Sequence, residues 1–138
     1  MLTERKRMPS KRVLIVDDAL IMRRRIRAIA EEAGWQVAGE AAHGEEAVDL
    51  YHEQQPDLVT MDIVMPKMDG VSALKQILRE SPQAQIVMVS AVNQKQKLAE
   101  CIRAGAIDFI VKPFDKISLL RFFEKRLASA DQREDQRQ

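Results

Sequence analysis

Val13-Leu14-Ile15-Val16-Asp17-Asp18 runs four apolar residues, three of them β-branched, straight into a pair of carboxylates. A continuous apolar run this short, closed by turn-forming acids, predicts a strand buried on both faces. The pattern recurs twice: Leu58-Val59-Thr60-Met61 ends at Asp62, and Ile86-Val87-Met88-Val89 ends at Ser90. Two weaker strands are predicted, one from Gln36 to Ala42 with polar interruptions and one at Phe109-Ile110-Val111, which leads into Lys112-Pro113.

Residues at helical spacing fill the intervals. Met22, Ile26, Ile29, Ala30 and Ala33 share one face of a helix that Gly34 stops. Ala47, Leu50 and Tyr51 mark a second helix closed before Pro56, and Leu74, Ile77 and Leu78 a third ended by Ser81-Pro82. Leu98, Cys101 and Ile102 give a fourth, capped by Gly105, and Leu120, Phe123 and Leu127 a fifth. Strict alternation of strand and helix predicts an α/β domain, a parallel sheet with helices on both faces. The three unbroken strands belong in its centre and the interrupted second and fifth at its edges. The order is then 2-1-3-4-5, that of a flavodoxin-like (βα)5 doubly wound sheet.

Composition narrows the function classes. The 138 residues suit one domain, and 46% hydrophobic with 31% charged residues is ordinary for a chain with a packed core. Lys and Arg number 22 against 21 Asp and Glu, a net charge of +1, which argues against a dedicated nucleic-acid binder. The single cysteine, Cys101, makes no internal disulfide and offers no metal-ligand spacing. No apolar run approaches a bilayer span and no signal peptide fits the N-terminus, so the expectation is a cytoplasmic protein without a membrane partner. Residues 1–11, with Arg5, Lys6, Arg7 and Lys11 against Glu4, read as a basic tail; residues 129–138 read as a polar one. The domain is expected over residues 12–128. No DNA-binding module follows it, so direct transcriptional control is not expected of this chain.

In a sheet of this kind ligands bind beyond the carboxyl ends of the strands, at the switch in strand order beside the first strand. Reading those ends in turn yields Asp17 and Asp18, then Asp62, Ser90 and Lys112. Singly, each has a plainer reading: the acids as turn formers or helix N-caps, Ser90 as a cap, Lys112 as a loop lysine. Together, three carboxylates repel one another and need a cation. Oxygen ligands with room for water suit Mg²⁺, or Mn²⁺, better than zinc. A phosphoryl group beside that cation would find donors in Lys112 and Ser90, and Ala91 leaves space for it to enter. Cys101 reads as a small core residue. His43 and His52 lack partners at ligand spacing and read as surface or packing residues.

At this point the motifs, taken jointly, resemble a known family. Val13 to Asp18, the run Pro56-Asp57-Leu58-Val59-Thr60-Met61-Asp62-Ile63-Val64-Met65-Pro66 with Met68-Asp69-Gly70, then Val89-Ser90-Ala91, and Phe109-Ile110-Val111-Lys112-Pro113-Phe114 are similar to the receiver domain of two-component response regulators. The likeness covers about residues 12–128 and is greatest to the single-domain chemotaxis, CheY-like, type.

The resemblance implies roles. Asp62 is the phosphoacceptor, taking its phosphoryl group from the phosphohistidine of a sensor histidine kinase or phosphotransfer domain. Asp18 ligates Mg²⁺ directly and Asp17 mainly through water, with Asp62 and the backbone carbonyl of Val64 completing the protein ligands. Lys112 and Ser90 hold phosphoryl oxygens, Phe109 occupies the aromatic switch position, and the Lys112-Pro113 bond is expected to be cis. The phosphate's added charge pulls Ser90 inward, Phe109 follows, and the surface of the fourth helix, fifth strand and fifth helix changes shape. That surface would control a downstream protein, such as a flagellar motor switch, and a phosphatase partner is possible. The protein is thus a phosphoacceptor that promotes its own phosphorylation and dephosphorylation, not an enzyme in the ordinary sense.

Two local features bear on tuning. Val64 and Val92, each two residues past Asp62 and Ser90, would flank the route of attacking water and slow loss of the phosphate. Arg23, Arg24, Arg25 and Arg27 on the first helix either dock an acidic partner or form a solvated face with an Arg27–Glu31 pair. Alternatives at this stage are a phosphorelay intermediate, the receiver part of a longer regulator, and a phosphorylation-independent scaffold. A haloacid-dehalogenase phosphatase needs an Asp two residues after its nucleophile, where Val64 stands, and a flavin binder would not place Asp17-Asp18-Ala19 against a phosphate.

Overall fold

The computed structural model describes residues 11–137, with side chains through residue 128. Its elements alternate without exception: β1 (Arg12–Val16), α1 (Leu20–Glu32), β2 (Gln36–Ala41), α2 (Gly44–Gln54), β3 (Leu58–Asp62), α3 (Gly70–Glu80), β4 (Ile86–Ala91), α4 (Lys95–Ala104), β5 (Asp108–Lys112) and α5 (Lys116–Arg137). The strands form one parallel sheet in the order β2-β1-β3-β4-β5. This is the expected doubly wound, flavodoxin-like arrangement.

Side-chain alternation on the central strands builds two separate cores. Leu14, Val16, Val59, Met61, Ile86 and Met88 face α2, α3 and α4, where Val48, Leu74, Ile77 and Cys101 meet them. Val13, Ile15, Leu58, Val87 and Val89 face the other way, against Ile26 and Ile29 of α1 and Leu119 and Phe123 of α5. Because both faces are covered, β3 is buried at every position, while β5 alternates between partly buried and exposed residues as an edge strand does. Trp35 joins the second core, its Nε1–H donating to the Phe123 carbonyl at 2.9 Å, so the start of β2 is tied to α5.

Helix ends fall where the stop signals predict. Gly34 follows α1 with φ 102°, Gly105 closes α4 with φ 124°, and Ser81 caps α3. The backbone of α5 is helical through Arg137, into the polar stretch that begins at residue 129, where Gln132, Arg133, Glu134, Gln136 and Arg137 are good helix formers. Of the basic segment expected over residues 1–11, all but Lys11 lies outside the described residues. Among the described residues no helix is long and apolar enough to cross a membrane.

Candidate functional site

The carboxyl ends of β1 and β3 lie side by side, so the acids that close them converge. Asp17, Asp18 and Asp62 each offer a carboxylate oxygen within 4.8 Å of the others. Asp17 is 1% exposed and Asp62 7%, whereas Asp18 faces solvent. The plainer reading of these acids as helix caps does not hold. Ala19 stands at the N-cap of α1, and Asp17 Oδ1 accepts only the Ala19 N–H at 2.9 Å. The caps of α2 and α3 are His43 and Asp69.

One cation reaches the acids from across the sheet. Lys112, the last residue of β5, donates from Nζ to Asp17 Oδ2 at 2.8 Å and lies 3.5 Å from Asp62 Oδ2. Burial pushes the Asp62 carboxyl up to about 6, with Asp17 and Asp18 adding to the rise and Lys112 opposing it. Burial works against the Lys112 ammonium, but its hydrogen bond to Asp17 and the charges of Asp62 and Asp17 raise its pKa above the ordinary value. The Lys112-Pro113 bond is cis, as expected. Among the described residues, one ammonium thus meets two of three clustered carboxylates, which leaves a pocket rich in hard oxygen donors with one solvent-facing member. That donor set fits a hydrated divalent cation of the Mg²⁺ kind.

The profile of the response regulator receiver domain matches residues 13–124. The chain belongs to that family. It is 50% identical to the chemotaxis protein CheY of Thermotoga maritima over 115 residues, 83% of this chain and 96% of that one. It is 53% identical over 109 residues to the protein CcdB of Bacillus subtilis, covering 79% of this chain and 91% of that one. Among solved structures, a chain of the CheX–CheY–BeF3–Mg complex from Borrelia burgdorferi superposes with a TM-score of 0.77 at 39% identity, over 80% of this chain and 84% of that one. The receiver is of the CheY type.

The other candidate residues lie on β4, β5 and the loops that follow β3 and β4. Ser90 is buried on β4, one residue before Ala91, which pairs in register with Lys112. The Ala91 N–H is taken up by Gln94 Oε1 at 2.8 Å, and Gln94 opens α4. Val64 and Val92 are 49% and 66% exposed and line a shallow cavity with residues 93–97. Phe109, which as an isolated aromatic in a strand would read as core, is 47% exposed on the sheet edge. It borders a groove between β5 and α5 with Val111, Pro113 and Phe122.

Some sequence candidates lie elsewhere and some partners were not foreseen. The arginines of α1 are mostly committed: Arg23 and Arg27 both bind Glu40 of β2, at 3.1 and 2.6 Å, and Arg27 also pairs with Glu31 at 3.2 Å. Burial opposes it, yet these hydrogen bonds from Arg27 and Arg23 hold the Glu40 carboxyl below its usual range. Cys101 is wholly buried, and burial pushes its thiol up to about 11, which suits a packing role. His43 Nδ1 accepts the Glu46 N–H, and His52 pairs with Glu80 between α2 and α3. Gly70, in the Met68-Asp69-Gly70 run, has a role that its sequence neighbours do not reveal. A Cβ there would fall 2.0 Å from the Asp62 carbonyl oxygen, so only glycine lets α3 start against the end of β3.

Proposed function

We propose that this receiver is a single-domain response regulator that accepts a phosphoryl group on Asp62 from the phosphohistidine of a sensor kinase or phosphotransfer domain. The observation that carries the reading is the convergence of Asp17, Asp18 and Asp62 within 4.8 Å, with Lys112 Nζ reaching two of them. Asp18 would hold Mg²⁺ directly, Asp17 through water, and Asp62 and the Val64 carbonyl would complete the protein's share. The bound ion would supply positive charge beside the acceptor carboxylate and the phosphoryl oxygens.

The chain's own residues do the rest. A carboxylate of Asp62 attacks phosphorus in line, an O–P bond forms, the N–P bond to histidine breaks, and its electron pair returns to the imidazole. Lys112 neutralises charge on one phosphoryl oxygen, and Ala91 leaves the entry open. The new phosphate then draws the Ser90 hydroxyl inward. Phe109, already at the surface, turns towards the space that Ser90 leaves. The face of α4, β5 and α5 changes shape and hands the signal to a downstream protein in chemotaxis, in line with relatives that carry that name. A phosphatase partner would end the signal, alongside slow self-hydrolysis.

The deciding experiment is incubation with acetyl phosphate and Mg²⁺ followed by intact-mass measurement. Wild type should gain one phosphate and Asp62→Asn none. Equal labelling of both, or of neither, overturns the reading. Transfer from a purified phosphorylated kinase then identifies the donor.

A further inference from the structure

The turn that carries Lys112 is gripped from α1. Arg25 donates from Nη2 to the Phe114 carbonyl at 3.0 Å, and its guanidinium lies 4.7 Å from the centroid of the Phe114 ring. That ring is buried against the α1–α5 core. The hydrogen bond fixes the direction of the guanidinium and the ring fixes its plane, a two-point contact that a planar fork can make and an ammonium cannot. Phe114 is two residues beyond Lys112.

The same helix is anchored to the acids. Arg23 donates from Nη1 to the Asp17 carbonyl at 2.7 Å and shares Glu40 with Arg27. Lower down, Glu32 of α1 meets Lys116 of α5 at 3.0 Å. Helix α1 therefore spans from the loop of Asp17 to the turn after Lys112, the two residues whose side chains meet at 2.8 Å.

Lys112 needs such a brace. It ends an edge strand whose one sheet neighbour is β4, so pairing with Ala91 supports it from one side alone. Its long side chain has many rotamers, and an amine displaced by an ångström loses most of its effect on a transferring group. We propose that Arg25 is a positioning residue for Lys112, holding the Pro113-Phe114 turn against α1 so that the ammonium stays over Asp17 and Asp62. This rests on the reading of Asp62 as the phosphoacceptor.

The test measures phosphorylation against acetyl phosphate concentration, at saturating Mg²⁺, for wild type, Arg25→Ala, Arg25→Lys and Arg24→Ala. Mg²⁺ affinity is measured separately by calorimetry. Arg25→Ala should lower the saturating rate about tenfold while leaving the half-saturating donor concentration within about twofold and the Mg²⁺ affinity no weaker than in wild type. Arg25→Lys should recover part of the rate, because it keeps a donor and loses the stacking. Arg24→Ala, at a neighbouring and equally exposed arginine with no such contact to the Phe114 turn, should match wild type. A wild-type saturating rate in Arg25→Ala overturns the proposal, as does an equal loss in Arg24→Ala. If Arg25→Ala fails to fold, Phe114→Leu decides, since it removes the ring face and keeps apolar volume; an unchanged rate there overturns the proposal too. Failure of wild type itself to take phosphate is a distinct result, which removes the acceptor reading and this role with it.

Discussion

Lys112 Nζ rests 2.8 Å from Asp17 Oδ2, nearer than the 3.5 Å that separates it from Asp62 Oδ2. The ammonium is shared between an acid that would organise a cation and the acid that would take the phosphate. Replacing it removes a charge that competes with a divalent ion and also a donor to the phosphoryl group. Lys112→Met should therefore bind Mg²⁺ several-fold more tightly by calorimetry, yet phosphorylate about a hundredfold more slowly, near the loss typical of removing one transition-state donor. Weaker Mg²⁺ binding in this variant would contradict the electrostatic account of the pocket.

Asp62 is raised from 3.8 to about 6, first by burial and then by Asp17. A carboxyl raised in the folded state binds its proton more tightly there than when unfolded. Stability of the metal-free protein then falls as pH rises through the window between those two values. Asp62→Asn lacks this penalty, so relative to wild type it should gain about 1–2 kcal/mol between pH ~4 and ~7, after allowing for the residual solvent contact of the site. Urea melts in chelator at both pH values measure it. Parallel stability curves for the two proteins would show that Asp62 does not titrate as described.

Gly70 starts α3 against the Asp62 carbonyl, where a Cβ would stand 2.0 Å from that oxygen, and its N–H donates to the Ile63 carbonyl at 2.7 Å. Backbone is on both sides of the contact, so no side chain can give way. Gly70→Ala should cost about 1–3 kcal/mol in denaturant melts and weaken Mg²⁺ binding, because the end of β3 must shift. Wild-type stability and affinity in this variant would mean that the contact is looser than the structure places it.

Two phenylalanines of the β5–α5 layer should respond in opposite ways. Phe123 is fully buried between α1 and α5, whereas Phe109 stands 47% exposed. Phe123→Ala is expected to lose about 3–5 kcal/mol and Phe109→Ala less than about 1 kcal/mol. A large loss at Phe109 would place it in the core and remove it from any surface switch.

Val64 and Val92 border one cavity, and each follows a candidate site residue, Asp62 or Ser90, by two positions. Apolar groups there neither orient nor hold an attacking water. Val64→Asn should shorten the lifetime of phosphorylated Asp62 several-fold, on the scale of about 1 kcal/mol for one added hydrogen bond. A phosphate chase by intact mass follows it, and an unaltered lifetime would discount the valines as a brake.

Much of this protein was legible in one dimension. Runs such as Val13 to Val16 and Ile86 to Val89 announce strands covered on both faces, and their absence from β2 and β5 marks the edges. The rule that ligands gather at strand carboxyl ends then brings Asp17, Asp18, Asp62 and Lys112 to one pocket before any distance is known. Less legible were contacts between residues with no common period. Neither the Arg25 grip on Phe114 nor the claim of Glu40 on Arg23 and Arg27 has a spacing signature, and the arginine cluster reads equally as a docking face.

Local patterning along the chain dictates the alternation of elements, the order of the strands and the end of the sheet where acids collect, because hydrophobic periodicity is written locally and strand topology has few solutions. Tertiary structure alone decided that Phe109 stands at the surface, that Gly70 abuts the Asp62 carbonyl, and that Lys112 leans towards Asp17. Those outcomes depend on how helices seat against the sheet, where neighbours close in the chain, such as Asp62 and Gly70, and groups far apart in it, such as Asp17 and Lys112, settle within the same few ångströms.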